Sequence, residues 1–219
     1  MKFFIDTANL ADIREAQDLG ILDGVTTNPS LMAKEGIRGE EAVRQRYLDI
    51  CDIVDDNVSA EVIATDYEGI LQEGRALAKL DDKIVVKVPM IKEGIKAICA
   101  FTAEGIRTNC TLVFSAGQAL LAAKAGASFV SPFIGRLDDV AIDGLDLIRQ
   151  IRLIYHNYEF DTEILAASIR HTMHLIACAE MGADVATCPL SVITGLLNHP
   201  LTDIGLQKFL NDYKSVNPS

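Results

Sequence analysis

The stretch "AEGIRTNCTLVFSAGQALLAAKAGASFVSPF", residues 103–133, contains one structural joint twice. In "AEGI" and again in "KAGA" a glycine, Gly105 or Gly126, stands just before the next apolar residues, where it can take the left-handed conformation that ends a helix. Each joint leads into a β-branched or apolar run, "RTNCTLVF" and then "SFVSPF", of strand length, and the residues between them suffice for one helix. Strand, helix and strand in that order predict a parallel pair.

Outward from there the same spacing holds. "DLGI" and "EMGA" repeat the joint with Gly20 and Gly182, and the runs "FFID", "GVTTN", "VSAEVI", "KIVVKV", "TEILAAS" and "DVATCPL" recur every roughly 20 to 35 residues. Eight strands alternating with helices predict an α/β protein, a (β/α)8 TIM barrel, as a single domain over residues 1–219. In the segment after Asp143, Leu147, Ile151, Ile154, Tyr155 and Tyr158 share one helical face, while Arg149 and Arg152 point elsewhere. A last amphipathic stretch with Leu206, Phe209, Leu210 and Tyr213 exceeds what eight units require and reads as an extra C-terminal helix suited to covering a neighbouring subunit. The competing open doubly wound sheet expects a Gly-rich phosphate loop after its first strand, and "FFIDTANLADI" has none.

With 219 residues, 49% of them hydrophobic, the chain can bury a sizeable core. A net charge of -11 without a Lys/Arg cluster argues against a nucleic-acid or anionic-membrane surface. The expected ligand is small. The opening "MKFFIDTANL" has too short an apolar run for a signal peptide and no later run reaches transmembrane length, so the expected location is cytoplasmic. Cys51, Cys99, Cys110, Cys178 and Cys188 form no CxxC pair and read as reduced thiols in packing roles.

Within "KIVVKVPM", residues 83–90, Lys87 interrupts a buried strand. Burying an amine without a partner is costly, and the usual escape is loss of the proton, which leaves a nucleophile. In such a barrel the reacting groups gather at the carboxyl ends of the strands. There the first strand ends at Asp6, the second at Asn28, the third carries Glu61, the fourth Lys87, the fifth Asn109 and Thr111, the sixth Ser131 and then Arg136, and the seventh Ser168 and then Arg170. The eighth supplies none in this reading. Period-two alternation puts Thr26 with Asn28, Asn109 with Thr111, Ser131 with Phe133, and Ser168 with Ala166 on shared faces.

Each residue also has an ordinary structural explanation. Lys87 suits a strand gatekeeper, Asp6 a turn or helix cap, and Glu61 a strand-end salt bridge. The Thr and Asn residues suit turn hydrogen bonds, and Arg136 and Arg170 suit surface ion pairs. The constellation outweighs these separate explanations. "HTMH" at 171–174 has a spacing that can bind metal on a helix, but nearby carboxylate or cysteine ligands in the expected motifs are missing, and no metal is expected. His156 and His199 stand alone, without a Ser or Cys partner.

The segments "FFIDTANL", "GVTTNPSL", "VVKVPM", "GIRTNCTLVFSAGQALLAAKAGASFVSPFIGRLDD" and "AASIRH" together resemble the short single-domain transaldolases, Schiff-base barrels closely related to fructose-6-phosphate aldolase. The resemblance covers nearly the whole chain. It implies that Lys87 attacks the ketone carbon of a sugar phosphate, and that Asp6, with a near-normal pKa, exchanges the proton of the substrate hydroxyl. Glu61 and Thr111 would hold a proton-shuttling water, and Asn28, Asn109 and Ser131 would bind the three-carbon dihydroxyacetone unit. Arg136, Ser168 and Arg170 would bind phosphate, with no metal or organic cofactor. In the aldolase branch the position of Glu61 looks like glutamine and that of Phe133 like tyrosine, so the residues here favour a transaldolase over a fructose-6-phosphate aldolase. The resemblance also implies a homo-oligomer, as large as a decamer of two stacked pentamers. The readings from other classes are a non-catalytic sugar-phosphate binding barrel and metal-dependent hydrolysis through His171 and His174.

Overall fold

A computed structural model describes residues 1–217; the last two residues of the domain expected over 1–219 lie outside the described residues. Eight strands form, β1 (Lys2–Asp6), β2 (Gly24–Thr26), β3 (Val58–Glu61), β4 (Ile84–Pro89), β5 (Thr108–Val113), β6 (Phe129–Pro132), β7 (Glu163–Ala166) and β8 (Val185–Cys188). Each pairs in parallel with its neighbours in chain order, and β8 closes onto β1. The result is the (β/α)8 barrel that the spacing predicts.

The helices are α1 (Leu10–Asp18), α2 (Pro29–Lys34), α3 (Glu40–Cys51), α4 (Tyr67–Ala78), α5 (Lys92–Ala103), α6 (Ala116–Lys124), α7 (Ile134–Asp138), α8 (Gly144–Asn157), α9 (Thr172–Glu180), α10 (Leu190–Thr194) and α11 (Pro200–Val216). Gly20, Gly105, Gly126 and Gly182 all have φ between 69° and 87°, so the four joints end their helices as expected. The short α2 and α7 exceed one helix per strand, while after β8 the short α10 precedes α11, the extra C-terminal helix that was expected. α2 begins because Pro29 presets the first helical turn and Asn28 caps it, its Oδ1 accepting from Leu31 N–H at 3.0 Å. On α8 the buried face is Leu147, Ile148, Ile151 and Tyr155; Tyr158 lies beyond the last turn and is exposed, contrary to the periodic reading.

The apolar residues divide into two cores. One, continuous around the barrel, fills the space between strands and helices with residues such as Ile5, Val86, Val88, Ile98 and Ile151. The second is small and lies inside the barrel, where Phe4, Val85, Phe129, Leu165 and Val185 meet and the rings of Phe4 and Phe129 sit 6.1 Å apart. Gly24 makes room for this layer, because a Cβ there would lie 2.7 Å from the Phe4 ring. The layer is a dry floor beneath the carboxyl ends of the strands. Truncating it should leave a cavity that the closed sheet cannot collapse around. Phe129→Ala is expected to lower the unfolding free energy by roughly 3 to 5 kcal/mol in urea titrations, and a loss under about 1 kcal/mol would contradict the packed floor.

Candidate active site

The polar site stands one layer above that floor, and strand alternation explains why. Phe4, Val85, Phe129 and Val185 face inward, so Asp6, Lys87, Ser131 and Thr187, each two residues further on, face inward too. Strand register sets the height: Asp6 lies opposite Thr26, Glu61 opposite Lys87, and Lys87 opposite Asn109. A cavity of about 120 Å³ opens here, lined by Asp6, Asn28, Lys87, Ser131, Phe133, Arg136 and Ser168 among the expected residues, together with Thr26, Ala167 and Thr187. A larger cleft of about 600 Å³ lies between α3 and α4 against apolar Met32, Val43 and Leu80. It lacks the lysine, and of the expected residues only Glu61 reaches it.

Lys87 is 5% exposed. Its Nζ lies 3.1 Å from a Glu61 carboxylate oxygen and donates to the Thr27 carbonyl at 3.1 Å. Lys87 is thus not without partners, because the adjacent β3 brings a carboxylate to the same level. A buried amine with both a carboxylate and a carbonyl acceptor is tolerable where a lone one is not.

Asp6 accepts a 2.7 Å hydrogen bond from the Thr26 hydroxyl, and the Thr187 hydroxyl lies 2.6 Å from Thr26. With Asp6 ionised, the protons run from Thr187 to Thr26 to Asp6. Burial pushes the Asp6 carboxyl above the ordinary carboxylate range, while the charge of Lys87 and the Thr26 hydrogen bond oppose the rise. This corrects the near-normal value expected for it.

Asn109 and Thr111 do not line the cavity. The Asn109 amide is fully buried, donating to Ser59 Oγ at 3.2 Å and accepting from Ser131 Oγ at 2.7 Å. It therefore orients Ser131, whose donated proton leaves its lone pairs free to accept from a ligand hydroxyl. Thr111 is buried, and its hydroxyl makes no hydrogen bond among the described residues. Asn28 does face the cavity, although its Oδ1 also caps α2.

On the far wall Arg136 stacks over Phe133, 5.2 Å from the ring centre. Ser168 has φ 58°, a left-handed conformation uncommon for serine, at the turn after β7. Arg170 departs from expectation. Its guanidinium makes a two-pronged ion pair with Asp139 and does not line the cavity, although it lies beside the Gly135 backbone next to Arg136. The two imidazoles of "HTMH" are engaged within the fold. His171 caps α9, accepting from His174 N–H at 3.3 Å, and His174 Nε2 lies 3.2 Å from Asp138.

Thr187 and Ala167 are lining residues that sequence reasoning missed; Thr187 brings the eighth strand's contribution, and Ala167 faces the cavity where Ala166 was expected to share a face with Ser168. The signal for Thr187 was available in the alternation from Val185 within "DVATCPL".

A (β/α)8 barrel whose mouth centres on a buried lysine paired with a carboxylate is the class that fold and site define. Residues 3–217 match the family model described as Transaldolase/Fructose-6-phosphate aldolase, and the chain belongs to that family. It is 75% identical over 217 residues to the "Probable transaldolase" of Cytophaga hutchinsonii, covering 99% of this chain and 100% of that protein. The proteins of that same description in Phocaeicola vulgatus and Bacteroides thetaiotaomicron are each 69% identical, again across 99% of this chain and 100% of theirs. Among solved structures, inosine 5′-monophosphate dehydrogenase from Legionella pneumophila superposes with a TM-score of 0.59 at 15% identity, over 88% of this chain and 58% of that one. That likeness shows the fold alone.

The raised Asp6 pKa has a thermodynamic consequence. A carboxyl whose folded value exceeds its unfolded value stabilises the fold below the ordinary range near about 4, and that contribution is lost as pH rises through the folded value. Asp6→Asn should therefore raise the melting temperature at neutral pH, by a margin that shrinks as pH approaches about 4. Melting curves with a pH-independent difference, or a less stable variant at neutral pH, would contradict this.

Proposed function

We propose that the chain is a transaldolase, moving a dihydroxyacetone unit from sedoheptulose 7-phosphate to glyceraldehyde 3-phosphate and yielding erythrose 4-phosphate and fructose 6-phosphate. The observation that carries the reading is the nearly inaccessible Lys87 amine on a small cavity shared with Asp6. The relatives' description as probable transaldolases supports it.

In this reading Glu61, already 3.1 Å from Nζ, takes the ammonium proton. The free amine then adds to the donor ketone, and loss of water gives the imine. Asp6 accepts the proton of the hydroxyl on the departing carbon. The carbon–carbon bond breaks with its electron pair moving toward the imine nitrogen, and an aldose phosphate leaves. A raised pKa suits Asp6 to both halves, taking a proton now and returning it when the acceptor aldehyde joins. Water then hydrolyses the imine and restores the lysine.

Ser131 and Asn28 hold the bound fragment, Arg136, Ser168 and Arg170 bind the phosphate, and no cofactor is required. Glu61, at a position that looks like glutamine in the aldolase branch, favours transfer over simple aldol cleavage because a carboxylate places and activates water differently from an amide. Phe133 adds an aromatic wall with no hydroxyl to hold water. We place the enzyme in the cytoplasm; no described helix is long and apolar enough to cross a membrane.

Borohydride added with sedoheptulose 7-phosphate should inactivate the protein and leave one reduced adduct, on Lys87. Lys87→Ala should give neither adduct nor turnover. The double variant Lys87→Met with Glu61→Gln tests the same point without leaving a buried carboxylate unpaired. An adduct at another residue, or normal turnover in either variant, would reject the mechanism.

The same proposal includes self-association, in the form of stacked pentameric rings. None of the described residues of α11 is buried, and Leu201, Phe209 and Tyr213 are each more than 60% exposed. A helix with so much uncovered apolar surface gains its stability from a neighbour. Light scattering should report an oligomer, and truncation before Pro200 should reduce it to smaller species. A monodisperse monomer of the full chain would refute this.

A further inference from the structure

We propose that Asp139 is a specificity residue that stands in for phosphate, holding Arg170 away from the cavity until a phosphorylated sugar replaces its carboxylate. The inference rests on reading Arg136, Ser168 and Arg170 as the phosphate site.

Both terminal nitrogens of Arg170 donate to the two oxygens of Asp139, one of them at 2.5 Å, in the fork geometry that phosphate oxygens also satisfy. The guanidinium is thus already arranged around an oxyanion that belongs to the protein. Its side chain runs over Gly135, where a Cβ would lie 3.1 Å from Arg170 Cδ and 2.7 Å from Nε, which keeps the fork close to Arg136 and Ser168. Arg136 and Ser168 already line the cavity, whereas Arg170 does not. Bringing the second guanidinium to the same anion requires at least one arm to leave Asp139.

The exchange is feasible because the pair is weakly held. The side chains of Arg170 and Asp139 are 48% and 50% exposed, a setting in which ion pairs contribute little. A phosphate dianion brings more charge and a third acceptor oxygen, and it meets Arg136 at the same time. Asp139 also caps the C-terminus of α7, where a carboxylate gains nothing from the helix dipole. The adjacent Asp138 has a different task, accepting from Gly144 N–H at 3.0 Å and facing His174, and so ties α7 to α8 and α9. For a ligand without phosphate, Arg170 keeps Asp139 and contributes nothing to binding.

The sign of the effect separates this from a merely structural role. If Asp139 only buttresses Arg170, its removal loosens phosphate binding; if it competes, its removal tightens it. Competitive inhibition by inorganic phosphate should strengthen about two- to fivefold in Asp139→Asn, the size of a released exposed ion pair. The kcat/KM ratio of glyceraldehyde 3-phosphate over glyceraldehyde should rise by a similar factor. Asp139→Ala should move both in the same direction and guards against a residual contact from asparagine. An unchanged or weakened phosphate inhibition in both variants would overturn the inference. Arg136→Ala and Arg170→Ala serve as the reference. If they weaken phosphate inhibition while the Asp139 variants do not strengthen it, only the competing role fails; if they leave it unchanged, the phosphate site itself is refuted.

Discussion

The ion pair between Lys87 and Glu61 sets the terms for the rest of the barrel mouth. An amine within a strand of valine and isoleucine would be intolerable alone, and its partner arrives only if β3 and β4 pair in one register. Sliding β4 by a residue would turn Lys87 outward into the apolar layer beneath the helices, and sliding β3 would take Glu61 from its side. The same register sets Asn109 beside Lys87 on the other side, where Asn109 orients Ser131. One electrostatic requirement thus helps hold three adjacent strands at the level where chemistry can occur.

The floor and the polar layer depend on each other through strand alternation. Phe4, Val85, Phe129 and Val185 fill the lower interior, and each forces the residue two positions later to face the mouth. The floor also keeps water from entering beneath, which explains why the carboxyl of Asp6 is pushed upward despite a nearby cation and a hydroxyl donor. Burial raises Asp6 toward the neutral form, while Lys87 has the Glu61 carboxylate and the Thr27 carbonyl as direct partners.

Much of this was legible in the sequence because it follows local rules. The eight runs, the four glycine joints and the inward parity of Asp6, Lys87 and Ser131 depend only on residues close in the chain. What was not legible depends on distant partners or on short segments. The choice of Arg170 between cavity and surface is decided by Asp139, 31 residues earlier. For Thr187 the inward parity followed from Val185, but its partner Thr26 is set only when β8 closes onto β1. The helices α2, α7 and α10 are too short to show a period, and Tyr158 kept the period of α8 after that helix had ended.

The closed floor and the small size of the cavity also govern the order of events. At about 120 Å³ the cavity falls below the roughly 300 to 1,000 Å³ of pockets that bury drug-sized ligands, so it encloses only part of a larger substrate. With the lower end filled by the packed layer of Phe4, Val85, Phe129, Leu165 and Val185, a ligand reaches the cavity from the carboxyl ends of the strands. Under the transfer proposed for this site, the departing aldehyde and the arriving one share that approach and so take turns.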